Sequence, residues 1–185
     1  NSIGEKENLQ KALKYARENN KALHFIGLVS DGGIHSNQKH LHKLLELAYN
    51  SGVKKVFVHA FTDGRDCDPR SGKGFIQKLE QNLHGAKIAS LCGRYYAMDR
   101  DKRWDRVKLT YDLLTKGIGE QSKKLSENIQ KSYDNGITDE FIKPIVHVDD
   151  SGRPIGLIEE NDAVLCFNFR TDRCRQITAV LTQIN

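Results

Sequence analysis

The chain has 185 residues, of which 38% are hydrophobic and 29% charged, an ordinary composition for a soluble globular protein. Its apolar runs are only as long as strands and its first ten residues lack a signal-peptide pattern, so we predict a cytoplasmic protein with no membrane partner. The formal charge is +5, but basic and acidic residues are interleaved and no nucleic-acid-binding motif appears, so we expect no nucleic-acid partner.

Helices and strands are predicted to alternate through most of the chain. A helix over residues 8–19 precedes a continuously apolar strand, 22–29, which is typical of a sheet buried on both faces. Ser36 is the predicted N-cap of a second helix, which stops at Gly52. The next predicted elements are strands 54–62 and 86–93 and helices 71–85 and 103–117. In the last of these, the spacing places Trp104, Val107, Tyr111 and Leu114 on one buried side.

The final third of the chain is less regular. It contains a predicted helix over 122–135, short strands around a tight turn at 150–152, a core strand over 162–170 and a last helix that buries Ile177, Val180, Leu181 and Ile184. The alternation favours an α/β fold: a mostly parallel sheet with helices on both faces and a small antiparallel hairpin near Gly152. We expect residues 1–185 to form a single domain.

Polar clusters follow four of the predicted strands. They read "SDGGIHS", "TDGRD", "CGRYYAMDR" and "NFRTDR". Because the carboxyl ends of parallel strands share one edge of a sheet, their side chains should converge there. The candidate site residues are His35, Arg65, Asp66, Arg94, Arg100, Arg170 and Arg173.

The five arginines of this set indicate the chemistry of the ligand. Guanidinium groups crowded into one crevice need a compensating anion, and they match carboxylate and phosphate oxygens bidentately. The predicted ligand is therefore small and multiply anionic. The neighbouring glycines are predicted to let the backbone approach it closely; they are Gly32, Gly33, Gly64 and Gly93.

Each cluster alone also has a plain structural interpretation. The glycines fit ordinary turns, His35 fits a loop histidine bonded to backbone, and Asp66 fits a helix cap or the salt-bridge partner of Arg65. A metal site built from His35, His40 and His42 is disfavoured, since residues two apart on a helix face different ways. Arg103, Arg106 and Arg175 are interpreted as surface charges on helices.

The cysteines lack a CxxC pair and are expected to be reduced; they are Cys67, Cys92, Cys166 and Cys174.

The four clusters together resemble the motifs of the cofactor-independent phosphoglycerate mutases, two-domain metalloenzymes of glycolysis. The matching stretches are "SDGGIHS", "TDGRDCDP", "GRYYAMDRDKRW" and "NFRTDRCRQI", and the resemblance extends over residues 9–181. It implies that residues 1–185 are the substrate-binding domain, which in that family is inserted into a phosphatase-like domain. The chain shows two departures from the family pattern: Asn37 stands where a second histidine is common, and Thr171 where alanine is common.

The resemblance also implies an activity. The intact protein would be an isomerase that interconverts 2-phosphoglycerate and 3-phosphoglycerate, with all seven candidate residues contacting substrate. Asp66 would serve as general acid and base, and His35 would orient the phosphoryl group. The serine nucleophile and two divalent metal ions, usually manganese, would belong to the phosphatase-like domain, so this chain would hold no metal and would be inactive alone. We expect a monomer.

Two alternatives from other classes remain open. The first is a non-catalytic sensor of a small anionic metabolite, which would bind phosphoglycerate without isomerising it. The second is a nucleic-acid-binding domain, suggested only by the charge of +5.

Overall fold

A six-stranded sheet forms the centre of the structure, which is a computed structural model describing residues 3–183. The strands are β1 Leu23–Leu28, β2 Val56–Thr62, β3 Lys87–Gly93, β4 Glu120–Ser122, β5 Ile145–His147 and β6 Ala163–Cys166. They lie in the order β4-β5-β3-β2-β1-β6. Strands β1, β2, β3 and β6 are parallel, whereas β5 runs antiparallel to β3 and carries β4 parallel to itself. The predicted α/β class with a mostly parallel sheet is confirmed.

Helices cover both faces of this sheet. They are α1 Glu7–Glu18, α2 Gln38–Asn50, α3 Gly72–Glu80, α4 Arg94–Ala97, α5 Trp104–Lys116, α6 Leu125–Asp134 and α7 Arg175–Thr182, with short 3-10 turns at Ile3–Glu5 and Asp139–Phe141. Side chains alternate across β1: Leu23 and Phe25 pack with α1, α2, α3 and α6, while Ile26 and Leu28 pack with α5 and α7. Because β1 is buried on both faces of the sheet, its sequence is almost continuously apolar.

Several local predictions need correction. Asn37, not Ser36, caps α2: its Oδ1 accepts from Lys39 N at 3.0 Å, while the Ser36 hydroxyl donates to the Leu28 carbonyl. Trp104 begins α5 and is 50% exposed, because the buried stripe starts one turn later at Val107. The hairpin near Gly152 is reduced to one antiparallel bridge between Val148 and Pro154.

Other boundaries match the predictions more closely. Helix α5 ends where predicted, with Gly117 in the left-handed conformation at φ +66°. Helix α7 buries Ile177 as expected, and Ile184 lies outside the described residues. Among residues 3–183, no helix combines the length and the apolar character that crossing a bilayer requires.

Candidate functional site

The loops that follow β1, β2, β3 and β6 meet at the carboxyl edge of the parallel strands. His35 Nε2 lies 3.9 Å from Asp66 Oδ2, which accepts from Arg94 Nη1 at 2.7 Å. On its other side, His35 Nδ1 lies 3.9 Å from Asp172 Oδ1, and the His35 carbonyl accepts from Phe169 N at 2.9 Å. The structure therefore brings together clusters that lie far apart in the sequence.

Arg94 is the most buried of the five arginines. It begins α4 directly after β3, and its Nη1 contacts Asp63 Oδ1 at 2.6 Å and Asp66 Oδ2 at 2.7 Å. Burial would lower its pKa, but the two carboxylates raise it above the ordinary value. Two carboxylates of the protein therefore already compensate the charge of Arg94, and its contact with substrate stays a prediction. The salt-bridge partner of Asp66 is Arg94, whereas Arg65 contacts Glu140 at 3.3 Å.

Asp63 organises the loop after β2. Its Oδ2 accepts from Ser30 Oγ at 2.6 Å, and its Oδ1 accepts from Asp66 N at 3.0 Å as well as from Arg94. Burial alone would raise the pKa of Asp63, but these hydrogen bonds and the guanidinium charge hold it below the ordinary value. Asp63 lies inside the "TDGRD" cluster but is not among the site residues predicted from the sequence.

Asp172 has a comparable position in the loop after β6. It forms ion pairs with Arg170 Nε at 3.0 Å and with Arg100 Nη1 at 3.4 Å, and both arginine side chains are half exposed. Partial burial would raise the pKa of Asp172, but Arg170 and His35 lower it. Because exposed ion pairs contribute at most about 1 kcal/mol, these two arginines can turn toward a ligand at little cost.

His35 is a buried imidazole surrounded by charges of both signs. Burial and the Arg94 charge lower its pKa, so the ring is neutral at pH 7. Its Nδ1 is buried and makes no hydrogen bond within the described residues. A neutral ring offers one donor and one acceptor, and neither of its nitrogens comes closer than 3.9 Å to a carboxylate. The free nitrogen is suited to a hydrogen bond with an incoming polar group.

Arg173 is less compensated than the other arginines, because the Asp172 charge offsets its surroundings only in part. Its buried Nε has no hydrogen-bond partner, and Arg173 forms no ion pair within residues 3–183. Burial lowers its pKa, and the positive charges of Arg100, Arg94 and Arg65 lower it further. A cavity of about 530 Å³ opens beside it, lined also by Arg65, Arg94 and Glu140. An anion in this cavity would satisfy the free donor and offset the crowded positive charge.

Arg106 also lines this cavity, so its interpretation as a surface charge on a helix is wrong. Its guanidinium Cζ lies 3.8 Å from the centre of the Tyr95 ring, and its Nη1 lies 3.6 Å from Asp99 Oδ1. Helix α5 places Arg106 toward the loop after β3 rather than toward solvent. The sequence signal for this position of Arg106 is the aromatic pair in "GRYYAMDR", because Tyr95 supplies the ring face on which the guanidinium stacks.

The turn Asp139–Phe141 closes one side of the crevice, and two glycines make room for it. A Cβ at Gly93 would come within 2.3 Å of the Glu140 carbonyl oxygen, and one at Gly64, where φ is +70°, within 2.8 Å of Glu140 N. A Cβ at Gly32 would likewise come within 2.8 Å of the Asp66 carbonyl oxygen. At Gly32, Gly64 and Gly93 a side chain would therefore collide with neighbouring protein atoms. The prediction that these glycines leave space for the ligand is not supported at these three positions.

Asp139 anchors the same turn. Its carboxylate accepts from Gly72 N at 2.7 Å and from the Tyr133 hydroxyl at 2.5 Å, and burial raises its pKa to about 6. Thr62 Oγ1 donates to the Asp139 carbonyl at 2.7 Å, which fixes the turn to the end of β2. This anchoring holds Glu140 against Arg65.

The three histidines considered for a metal site do not form one. His40 packs its ring against Phe169, with 5.9 Å between ring centres, while His35 faces Asp66 and Asp172. Within residues 3–183, no group of three or more histidine, cysteine or carboxylate side chains is placed to hold a metal ion.

Comparisons with known proteins agree on one relationship. The family model described as "BPG-independent PGAM N-terminus" matches residues 1–185. The 2,3-bisphosphoglycerate-independent phosphoglycerate mutase of Parabacteroides distasonis is 56% identical over 185 residues, which are 99% of this chain and 36% of that protein. The enzyme of the same name from Thermomicrobium roseum is 50% identical over 184 residues, 98% of this chain and 35% of that protein.

A solved structure is similar over the same region. The crystal structure of Leishmania mexicana phosphoglycerate mutase at low cobalt concentration superposes with a TM-score of 0.90 at 34% identity, covering 97% of this chain and 35% of that one. The chain thus spans about a third of the length of the proteins it matches.

Proposed function

The chain belongs to the family of N-terminal regions of BPG-independent phosphoglycerate mutases, and on this premise we propose that it is the substrate-binding domain of a mutase. The intact protein would interconvert 2-phosphoglycerate and 3-phosphoglycerate in glycolysis, as a cytoplasmic monomer. This chain would hold the glycerate while phosphate passes through a serine on the remaining, phosphatase-like part. Alone, it would bind substrate without isomerising it.

The unpaired guanidinium of Arg173 is the observation that carries this proposal. Among residues 3–183 its buried Nε has no acceptor, and the positive charges of Arg65, Arg94 and Arg100 around it outweigh the charge of Asp172. Phosphoglycerate carries a phosphate and a carboxylate, so it can engage two guanidinium groups at once. Within the described part of the chain, the half-exposed Arg100 and Arg170 pair only with the partly exposed Asp172 and are free to exchange it for substrate.

The proposed roles of the other residues follow from their contacts. Asp66 would accept the proton of the reacting hydroxyl and return it later, because its carboxylate borders the crevice and is held in place by Arg94. His35 would donate a hydrogen bond to the phosphoryl group as a neutral ring. Holding the glycerate between the two phosphate transfers would supply proximity that a free molecule lacks.

Metal chemistry would belong to the rest of the protein. The described residues offer no metal site, so they do not fit the two divalent ions, proposed to be manganese, that the family uses. No role in metal binding is assigned to this chain.

A mutase assay on the full-length protein tests the proposal. Arg173→Gln should lower kcat/KM at least tenfold, because a charge-assisted hydrogen bond to a buried anion contributes about 1.5–3 kcal/mol. Arg153→Gln is the matched control, since that side chain is 80% exposed and its one ion pair among residues 3–183 is with Asp149. If the full-length protein binds phosphoglycerate but does not isomerise it, the sensor alternative replaces the mutase.

A further inference from the structure

Two cysteines flank the segment that carries Arg170 and Arg173. Cys166 ends β6 and is half-buried, whereas Cys174 is buried immediately before α7. Both line a cavity of about 430 Å³ between β6 and α7, together with Asn168. All four cysteines of the chain are free thiols in this structure.

Cys166 and Cys174 also pack in the same apolar cluster between the sheet and α7. Asn168, two residues after Cys166, donates from its side-chain Nδ2 to Cys174 Sγ at 3.2 Å. Asn168 is itself fixed, because its Oδ1 accepts from Leu28 N in the neighbouring strand at 2.9 Å. The fold therefore holds both cysteines at one cavity, with Asn168 between the strand and Cys174.

The two thiols differ in reactivity. The Cys174 thiol lowers the pKa of Cys166, and Cys166 together with burial raises the pKa of Cys174. Burial raises the pKa of Cys67 and brings that of Cys92 to about 12. Since the thiolate is the nucleophilic form, Cys166 is the cysteine suited to react first.

We propose that Cys166 and Cys174 form a redox-active pair that a hydroperoxide converts to a disulfide. The Cys166 thiolate attacks one peroxide oxygen, the O–O bond breaks, and the second oxygen leaves as an alcohol or water after taking up a proton. The Cys174 sulfur then attacks the Cys166 sulfenic acid, an S–S bond forms, and water leaves. Together, two thiols lose two electrons and two protons, and the hydroperoxide is reduced; a small dithiol reverses the change.

Disulfide formation would alter the crevice. The sulfurs must approach to about 2.05 Å, which draws the end of β6 toward the start of α7. The seven residues between the cysteines include Arg170, Asp172 and Arg173, so this movement displaces two candidate site arginines. This consequence rests on the proposed function, whereas the disulfide itself does not.

Peptide mapping by mass spectrometry after hydrogen peroxide treatment tests the chemistry. The purified chain should yield a peptide pair joined through Cys166 and Cys174, lighter by two hydrogen atoms, and a dithiol should release it. The matched control Cys67→Ser should form the same cross-link. Cys166→Ser and, independently, Cys174→Ser should abolish it. Oxidation that stops at sulfenic or sulfinic acid on Cys166, or a cross-link elsewhere, would overturn the proposal.

A binding measurement tests separately whether the Cys166–Cys174 disulfide alters the crevice. Inorganic phosphate binding, followed before and after oxidation, should weaken several-fold in the cross-linked chain and recover on reduction. In Cys166→Ser, peroxide should leave phosphate binding unchanged. A cross-linked chain that binds phosphate as the reduced one does would contradict the effect on the crevice, whereas absence of phosphate binding in both forms would count against the proposed function.

Discussion

Arg94 and Asp66 form an ion pair in which Nη1 and Oδ2 are 2.7 Å apart, and the same Nη1 lies 2.6 Å from Asp63. The contacts join the start of α4 to the loop after β2, so one buried guanidinium fixes two of the four loops at the site. Removing one partner of a buried ion pair leaves an uncompensated charge, which costs much more than the pair contributes.

Asp63→Asn should destabilise the chain by about 1.5–3 kcal/mol, because it removes the more buried carboxylate beside Arg94 while Asp66 still pairs with that guanidinium. Urea denaturation of the purified chain measures the change in the free energy of unfolding. Glu7→Gln is the control: that side chain is 79% exposed in its pair with Lys11, so its loss should change stability by less than about 0.5 kcal/mol. Equal effects would show that Asp63 does not organise the site.

Asp66→Asn should lower the turnover of the full-length protein more than its affinity for phosphoglycerate. An amide keeps the shape of the carboxylate but cannot accept a proton, so the proposed transfer fails while binding persists. Steady-state kinetics should show a fall in kcat of about a hundredfold or more with a smaller change in KM. Unchanged kcat would remove Asp66 from proton transfer.

Arg106→Gln should weaken phosphoglycerate binding several-fold, although the sequence alone suggests a surface charge. The substitution removes the guanidinium that stacks 3.8 Å from the Tyr95 ring centre and one positive charge from the cavity wall. Isothermal titration of the full-length protein measures it, with Arg153→Gln as the control. If both variants bind like the parent, Arg106 has no part in the site.

Stability should fall as the pH drops below about 6.5, because of two buried histidines. His24 Nδ1 lies 3.0 Å from His59 Nε2, His59 Nδ1 lies 2.8 Å from Ser90 Oγ, and His24 Nε2 lies 3.2 Å from Asp162. Burial lowers the pKa of both rings, that of His59 well below 6.5. The unfolded chain therefore binds protons that the folded chain excludes, at a cost approaching about 1.4 kcal/mol per pH unit for each histidine.

Urea denaturation between pH 7.5 and 5.5 measures this dependence. His59→Gln is the comparison: its stability should be lower at pH 7.5 and should fall less steeply with acid. Asp139, whose pKa is about 6, acts in the opposite direction, since its stabilising protonated form is lost as the pH rises. That contribution is present in both proteins and cancels in the comparison. Identical slopes would contradict the assignment of neutral buried rings.

The mostly parallel sheet and the strand-end clusters could be predicted, but the contacts between residues within the site could not. Parallel strands end at the same edge of a sheet, whatever side chains follow them. The positions of His35, Arg94 and Arg170 after predicted strands were therefore enough to predict that they lie at this edge. The contact between Arg65 and Glu140 joins residues 75 positions apart and depends on the Asp139 turn, which has no local signal. A short strand before the turn at 150–152 was predicted, but the antiparallel pairing of β5 with β3 was not, because three residues carry too little pattern to specify a partner strand.

We propose that this chain binds phosphoglycerate in the arginine crevice. Its most direct test is an NMR titration of the isotope-labelled chain with 3-phosphoglycerate at low and high salt. We expect weak binding that salt reduces, with shifts concentrated at His35, Arg65, Arg94 and Arg170, because an open crevice leaves its ionic contacts hydrated. Shifts that are absent at millimolar ligand, or that map to the opposite edge of the sheet around Arg153, would contradict it.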